Sequence, residues 1–138
     1  MPLNVLLVED NPPDVMLIRQ ALRQHGLEFT LHQATDAEQA LAYIDGIGDN
    51  EQTPCPDVVL LDLNIPKGEG IELLQALRKS IRCAEVPVIV LSSSTNSEDR
   101  ARVAEWGATQ YFRKPIELDQ FMKLGSLVKE ILQNRLSP

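Results

Sequence analysis

Three acids, a run of hydroxyls and one lysine stand out for where they fall. Glu9 and Asp10 follow the apolar run LNVLLV, and Asp62 closes VVLLD. Ser92, Ser93 and Ser94 follow PVIVL, and Lys114, with Pro115 behind it, follows ATQYFR. Each group sits at the carboxyl end of a stretch that reads as a strand. If those stretches are neighbours in one sheet, all of these groups meet at one edge. Three carboxylates gathered there repel one another, and raised pKa values relieve this only in part. Two partners relieve it further. One is Mg²⁺, a hard cation that takes oxygen ligands at ~2.0–2.1 Å and often combines carboxylates with water and phosphate. The other is the Lys114 ammonium, placed to reach Asp62 from the far side. The chemistry suggested is that of a carboxylate, Asp62, held rigidly by an apolar strand and compensated by a metal and a lysine.

Each motif has a plainer reading. Glu9-Asp10-Asn11 suits the start of a helix, Asp62-Leu63-Asn64 suits a polar strand end, and the serines and Arg113-Lys114-Pro115 suit ordinary turns. Their joint occurrence at four strand ends, in this order, favours the functional reading. His25 and His32 fall away from the acidic edge and are not expected to act as ligands. Trp106 is read as packing.

The elements that must position these groups alternate. LNVLLV is a buried strand, and PPDVMLIRQALRQHG carries Val15, Ile18 and Leu22 at helical spacing, with Pro13 suited to the first turn and Gly26 to the stop. EFTLHQA is a weaker strand, and DAEQALAYIDGI a helix that Asp36 caps. A polar loop over 46–56, expected to be mobile, leads to the strand DVVLLDL. Then come the helix GIELLQALRKSI, the strand PVIVLSS, the helix SEDRARVAEWG, the short strand ATQYFRK and one long helix, ELDQFMKLGSLVKEILQNRL. This βαβαβαβαβα order predicts an α/β fold, a doubly wound parallel sheet in the flavodoxin-like order 2-1-3-4-5, whose site lies at the carboxyl ends of strands 1 and 3.

The final helix shows two apolar stripes. Leu118, Phe121, Met122, Val128 and Leu132 are expected on the sheet, whereas Leu124, Leu127 and Ile131 suggest a homodimer or partner face. A broad core contact that absorbs both stripes is the alternative.

The chain has 138 residues, a formal net charge of −7 and a pI of about 4.8. One domain over residues 1–138, without an output domain, is expected. The negative charge argues against direct nucleic-acid or anionic-membrane binding. Cys55 and Cys83 show no metal spacing and no disulfide framework, so reduced thiols in a cytoplasmic protein are expected.

With LLVEDN, VVLLDLNIPKGEG, PVIVLSSS and GATQYFRKP in hand, the chain resembles the receiver domain of two-component response regulators from about Leu3 to Leu132. Within that family it is similar to the small stand-alone regulators paired with phytochrome histidine kinases. The resemblance implies that Asp62 accepts a phosphoryl group from a sensor histidine kinase. Glu9, Asp10, Asp62 and the backbone carbonyl of Asn64 would hold Mg²⁺. Ser92 and Tyr111 would act as switch residues, Lys114 would bind the phosphoryl group, and the bond before Pro115 would be cis. Glu9 stands where Asp is frequent, and Ser92 where Thr is. A downstream protein target is implied, with a homodimer through the fourth helix, fifth strand and fifth helix as a further option. Two other functions stay in view: a haloacid-dehalogenase-like phosphatase, disfavoured by Asn64 and by the early acidic pair, and a scaffold that works without phosphate. A flavodoxin-like cofactor binder is disfavoured because EDNPPD is acidic where a phosphate loop would be needed.

Overall fold

The computed structural model describes residues 2–93 and 97–136. Ser94 lies outside them. The elements are β1 (Leu3–Val8), α1 (Pro12–Gln24), β2 (Phe29–Ala34), α2 (Ala37–Asp45), β3 (Val58–Asp62), α3 (Gly70–Arg78), β4 (Val88–Ser92), α4 (Ser97–Glu105), β5 (Gln110–Arg113), α5 (Leu118–Phe121) and α6 (Lys123–Leu136). All strand pairs are parallel and the sheet order is β2-β1-β3-β4-β5, as the alternation predicts.

Strand side chains alternate between faces, and the apolar runs fill both. Val5, Leu7, Val58, Leu60, Ile89 and Leu91 face a core closed by α1, α5 and α6. Leu6, Val8, Val59, Leu61, Val88 and Val90 face a second core closed by α2, α3 and α4. Every residue of β3 and β4 is buried. Strands covered on both faces cannot shift register without moving apolar side chains out of place, so their polar ends are fixed in space.

The helix starts follow their caps. Asn11 Oδ1 accepts from the Asp14 N–H at 3.2 Å, with Pro12 and Pro13 in the first turn of α1. Asp36 Oδ1 accepts from the Gln39 N–H at 2.8 Å. On the α1 side, α6 packs closely because residue 125 is glycine. A Cβ there would run into the Ala21 carbonyl oxygen and lie 2.8 Å from its carbon. Gly125→Val is expected to cost about 1–3 kcal/mol in urea denaturation by overpacking this contact, while Ser126→Val, one position on, should cost far less.

Five expectations need correction. The final helix is broken at Met122 into α5 and α6. Its two stripes are not separate: Leu124 and Val128 are both fully buried, Leu127 and Ile131 pack against the same core, and Leu118 is exposed. The broad core contact absorbs the second stripe. The Lys114–Pro115 bond is trans, since no peptide bond among the described residues is cis. Trans is favoured by about 0.5–1 kcal/mol at X–Pro, and Lys114 reaches its partners from it.

Cys55 and Cys83 are not free thiols but a disulfide, with Cα atoms 5.8 Å apart. They lie 28 residues apart in sequence, which hides that the segments leading into adjacent strands β3 and β4 run side by side. The 46–56 loop, expected to be mobile, is tied down. Thr53 Oγ1 donates to the Gly46 carbonyl at 2.6 Å, the Gly48 N–H donates to the Thr53 carbonyl at 2.8 Å, and Tyr43 Oη donates to the Pro54 carbonyl at 2.7 Å. No helix among the described residues is long and apolar enough to cross a membrane.

Candidate functional site

The strand alternation decides which polar groups meet. Val5, Leu7 and Glu9 continue one face of β1, Val58, Leu60 and Asp62 the same face of β3, and Phe112 and Lys114 that of β5. The ladder runs on past the assigned ends, since the Glu9 N–H donates to the Ala34 carbonyl at 3.0 Å and the Lys114 N–H to the Ser92 carbonyl at 2.8 Å. Glu9, Asp62 and Lys114 therefore emerge together at the carboxyl edge, on the α1 side.

There the Lys114 ammonium lies 2.8 Å from Glu9 Oε2, 2.8 Å from Asp62 Oδ2 and 2.8 Å from Asp14 Oδ2. Asp14 was not singled out from the sequence; it sits in the first turn of α1, facing the strand ends. Its spacing offered a weak signal, because a residue three positions after the cap Asn11 points back over the helix start. Asp62 Oδ1 accepts from the Asn64 N–H at 2.8 Å, and Glu9 Oε1 from the Asn11 N–H at 3.1 Å. Both carboxylates are thus oriented by backbone donors. Ligand oxygens of Glu9, Asp10 and Asp62 lie within 4.8 Å of one another. Glu9 and Asp62 are buried and Asp10 is exposed. This donor set of hard oxygens, two of them fixed by the fold and one open to water, fits a divalent cation.

The β3–α3 loop that carries Asn64 folds back tightly. A Cβ on Gly70 would lie 2.8 Å from the Leu63 Cα, so a side chain there would push the loop off the site. Lys67 in the same loop pairs with Asp36 at 3.7 Å and Glu38 at 3.8 Å, away from the acidic cluster.

Ser92 and Tyr111 fall on the other face. Ser92 follows Val88 and Val90, is buried, and stands one residue past Leu91, the register partner of Asp62. The Arg100 guanidinium covers the Tyr111 ring at 4.9 Å. The histidines lie away from the acidic edge: His32 Nε2 lies 3.1 Å from Asn4 Oδ1, and His25 closes α1. Trp106 packs against the α2/α3 core, with the Lys79 ammonium 5.7 Å from its ring centroid.

Burial pushes the Glu9 carboxyl from its ordinary 4.5 up to about 7; the Lys114 hydrogen bond opposes this and the neighbouring Asp62 adds to it. Burial draws the Lys114 ammonium down, but its bonds to Asp14, Asp62 and Glu9 prevail and hold it above the usual lysine value. For Glu9 the folded state binds a proton more tightly than the unfolded chain. Its contribution is therefore most favourable below about pH 4.5 and is lost as pH rises to about 7. Urea denaturation of the metal-free protein should show stability falling by roughly 3 kcal/mol across that window on Glu9's account, and Glu9→Gln should flatten the slope.

A profile of the response regulator receiver domain matches residues 5–125. Response regulator Rcp1 of Synechocystis sp. is 32% identical over 123 residues, which cover 89% of this chain and 84% of that protein. The structure of the phosphorylated cyanobacterial phytochrome response regulator RcpA superposes with a TM-score of 0.86 at 29% identity, covering 99% of this chain and 98% of that one. The Mn²⁺-bound form of Rcp1 superposes with a TM-score of 0.84 at 29% identity, again over 99% and 98% of the two chains.

Proposed function

The chain belongs to the response regulator receiver domain family, related to phytochrome-associated regulators, and on that premise we propose that it accepts a phosphoryl group on Asp62 from a sensor histidine kinase. The observation that carries this reading is the Asp62 carboxylate at a buried strand end, with Lys114 Nζ 2.8 Å from one oxygen and the Asn64 N–H 2.8 Å from the other. One carboxylate oxygen attacks phosphorus as the bond from phosphorus to the donor's nitrogen breaks, and the departing imidazole takes a proton. Such transfers depend on positioning and on spreading charge over the transferred oxygens. Lys114 takes one of these oxygens, and Ser92, on the other face but one residue past the register partner of Asp62, offers its hydroxyl to another at the sheet edge. Glu9, Asp10, Asp62 and the Asn64 carbonyl would hold the metal. The solved relative Rcp1 carries Mn²⁺; Mg²⁺, which favours carboxylate and phosphate oxygens together, is the ion we assign here. When bound, it neutralises the clustered acids and the incoming phosphoryl charge.

Members of this family phosphorylate and dephosphorylate themselves rather than turning over external substrates, which sets aside the phosphatase reading. The acyl phosphate adds three strong acceptor oxygens next to β4. Ser92 and Tyr111, together on the α4 side of the sheet, form the route by which that change would reach α4 and β5. This surface is the one we assign to a downstream protein or to a second copy of the chain. Incubation with Mg²⁺ and acetyl phosphate, followed by intact mass and peptide mapping, tests the reading. A phosphoryl increment on Asp62 is expected, and its absence with a confirmed active donor would reject the assignment.

A further inference from the structure

We propose that Asp14 is a positioning residue that holds Lys114 back from the incoming phosphoryl group and so sets how readily Asp62 is phosphorylated; this rests on Asp62 being the acceptor. A lysine ammonium has three N–H donors. Here three carboxylates, Glu9, Asp14 and Asp62, each lie 2.8 Å from it, and only 13% of the lysine side chain is exposed. No donor is left for a phosphoryl oxygen. Lys114 can meet one only by giving up a partner.

The three partners differ in what their release would cost. Glu9 is 0% exposed, so its carboxylate cannot turn to water and stays inside the site, at the lysine or at a bound metal. Asp62 is 6% exposed and is itself the acceptor. Asp14 is 22% exposed and sits in the first turn of a 13-residue helix. Its carboxylate can turn to water, and the helix amino end still favours its charge. Its place in the cap does not depend on its side chain, because the bond to Asn11 uses the Asp14 backbone N–H. Asp14 is the partner that yields, and until it does it competes with phosphate for the lysine.

The test compares Asp14→Asn with wild type in Mg²⁺ and acetyl phosphate, following phosphoryl incorporation by intact mass. The apparent second-order rate constant is expected to rise about fivefold, the scale of one partly exposed charge-assisted hydrogen bond. In a Lys114→Gln background the same substitution is expected to change nothing. A rate that stays level or falls in Asp14→Asn overturns the proposal. So does an equal rise in the Lys114→Gln background, which would mark simple repulsion of the anionic donor. A second readout uses ¹⁵N resonances of the metal-free protein, where exchange of the Lys114 ammonium protons with water is expected to quicken in Asp14→Asn. If wild type takes no phosphoryl group, the assignment of Asp62 fails separately, and unchanged ammonium exchange then overturns the tether itself.

Discussion

Asp62→Asn is expected to end phosphoryl uptake completely, with no increment at position 62 after exhaustive incubation with acetyl phosphate and Mg²⁺. The amide keeps the shape of the side chain and an oxygen for the Asn64 N–H, 2.8 Å away in the wild type. What it lacks is a carboxylate nucleophile. It also removes one of three acids around a single lysine, so the fold should survive, and circular dichroism should be unchanged. That combination separates loss of chemistry from loss of structure. Uptake that persists at another residue would place the acceptor elsewhere.

Lys114→Met is expected to have the largest effect on stability. It leaves Glu9 and Asp62, both buried, without the cation that each touches at 2.8 Å. Removing one partner of a buried charged cluster costs roughly 3–5 kcal/mol, because the remaining charge stays desolvated. The loss should be greatest in urea denaturation at pH 8, where Glu9 is ionised. It should shrink at pH 5.5, where Glu9, raised by burial to about 7 even with the lysine beside it, is protonated in both proteins. Divalent cation should restore part of the loss at pH 8, because it offers the same acids a second source of positive charge. Equal losses at both pH values would mean that the lysine contributes through packing of its methylenes rather than through charge.

The sheet order and the gathering of Glu9, Asp10, Asp62 and Lys114 were legible because apolar runs, helical spacing and strand-end residues all pointed the same way. The sequence also carried the division of that edge between two faces. Residues two apart on a strand share a face, so 58, 60 and 62 on β3 and 88, 90 and 92 on β4 could have been set against the neighbouring register. That would have divided Asp62 and Lys114 from Ser92 and Tyr111. Asp14 stayed hidden because an acid in a helix's first turn has a sufficient reason to be there already. The Cys55–Cys83 bond was invisible because a 28-residue separation carries no spacing signal; only the adjacency of β3 and β4 brings the two together. The break at Met122 runs against a continuous helical pattern, and the trans bond at Pro115 turns on less than a turn's worth of local energy.

The uneven cover of the sheet has a further consequence. The central strands β3 and β4 are sealed on both faces, but α4 buries only Val103, and the ends of β5, Gln110 and Arg113, are exposed. Opening free energies within one domain follow the apolar area each segment covers. Amide hydrogens of α4 should therefore exchange with solvent by local excursions, while those of β3 and β4 wait for global unfolding. A small energetic push delivered at the strand ends will be spent where resistance is least, so the same edge that is anchored for chemistry is flanked by the segment most easily displaced.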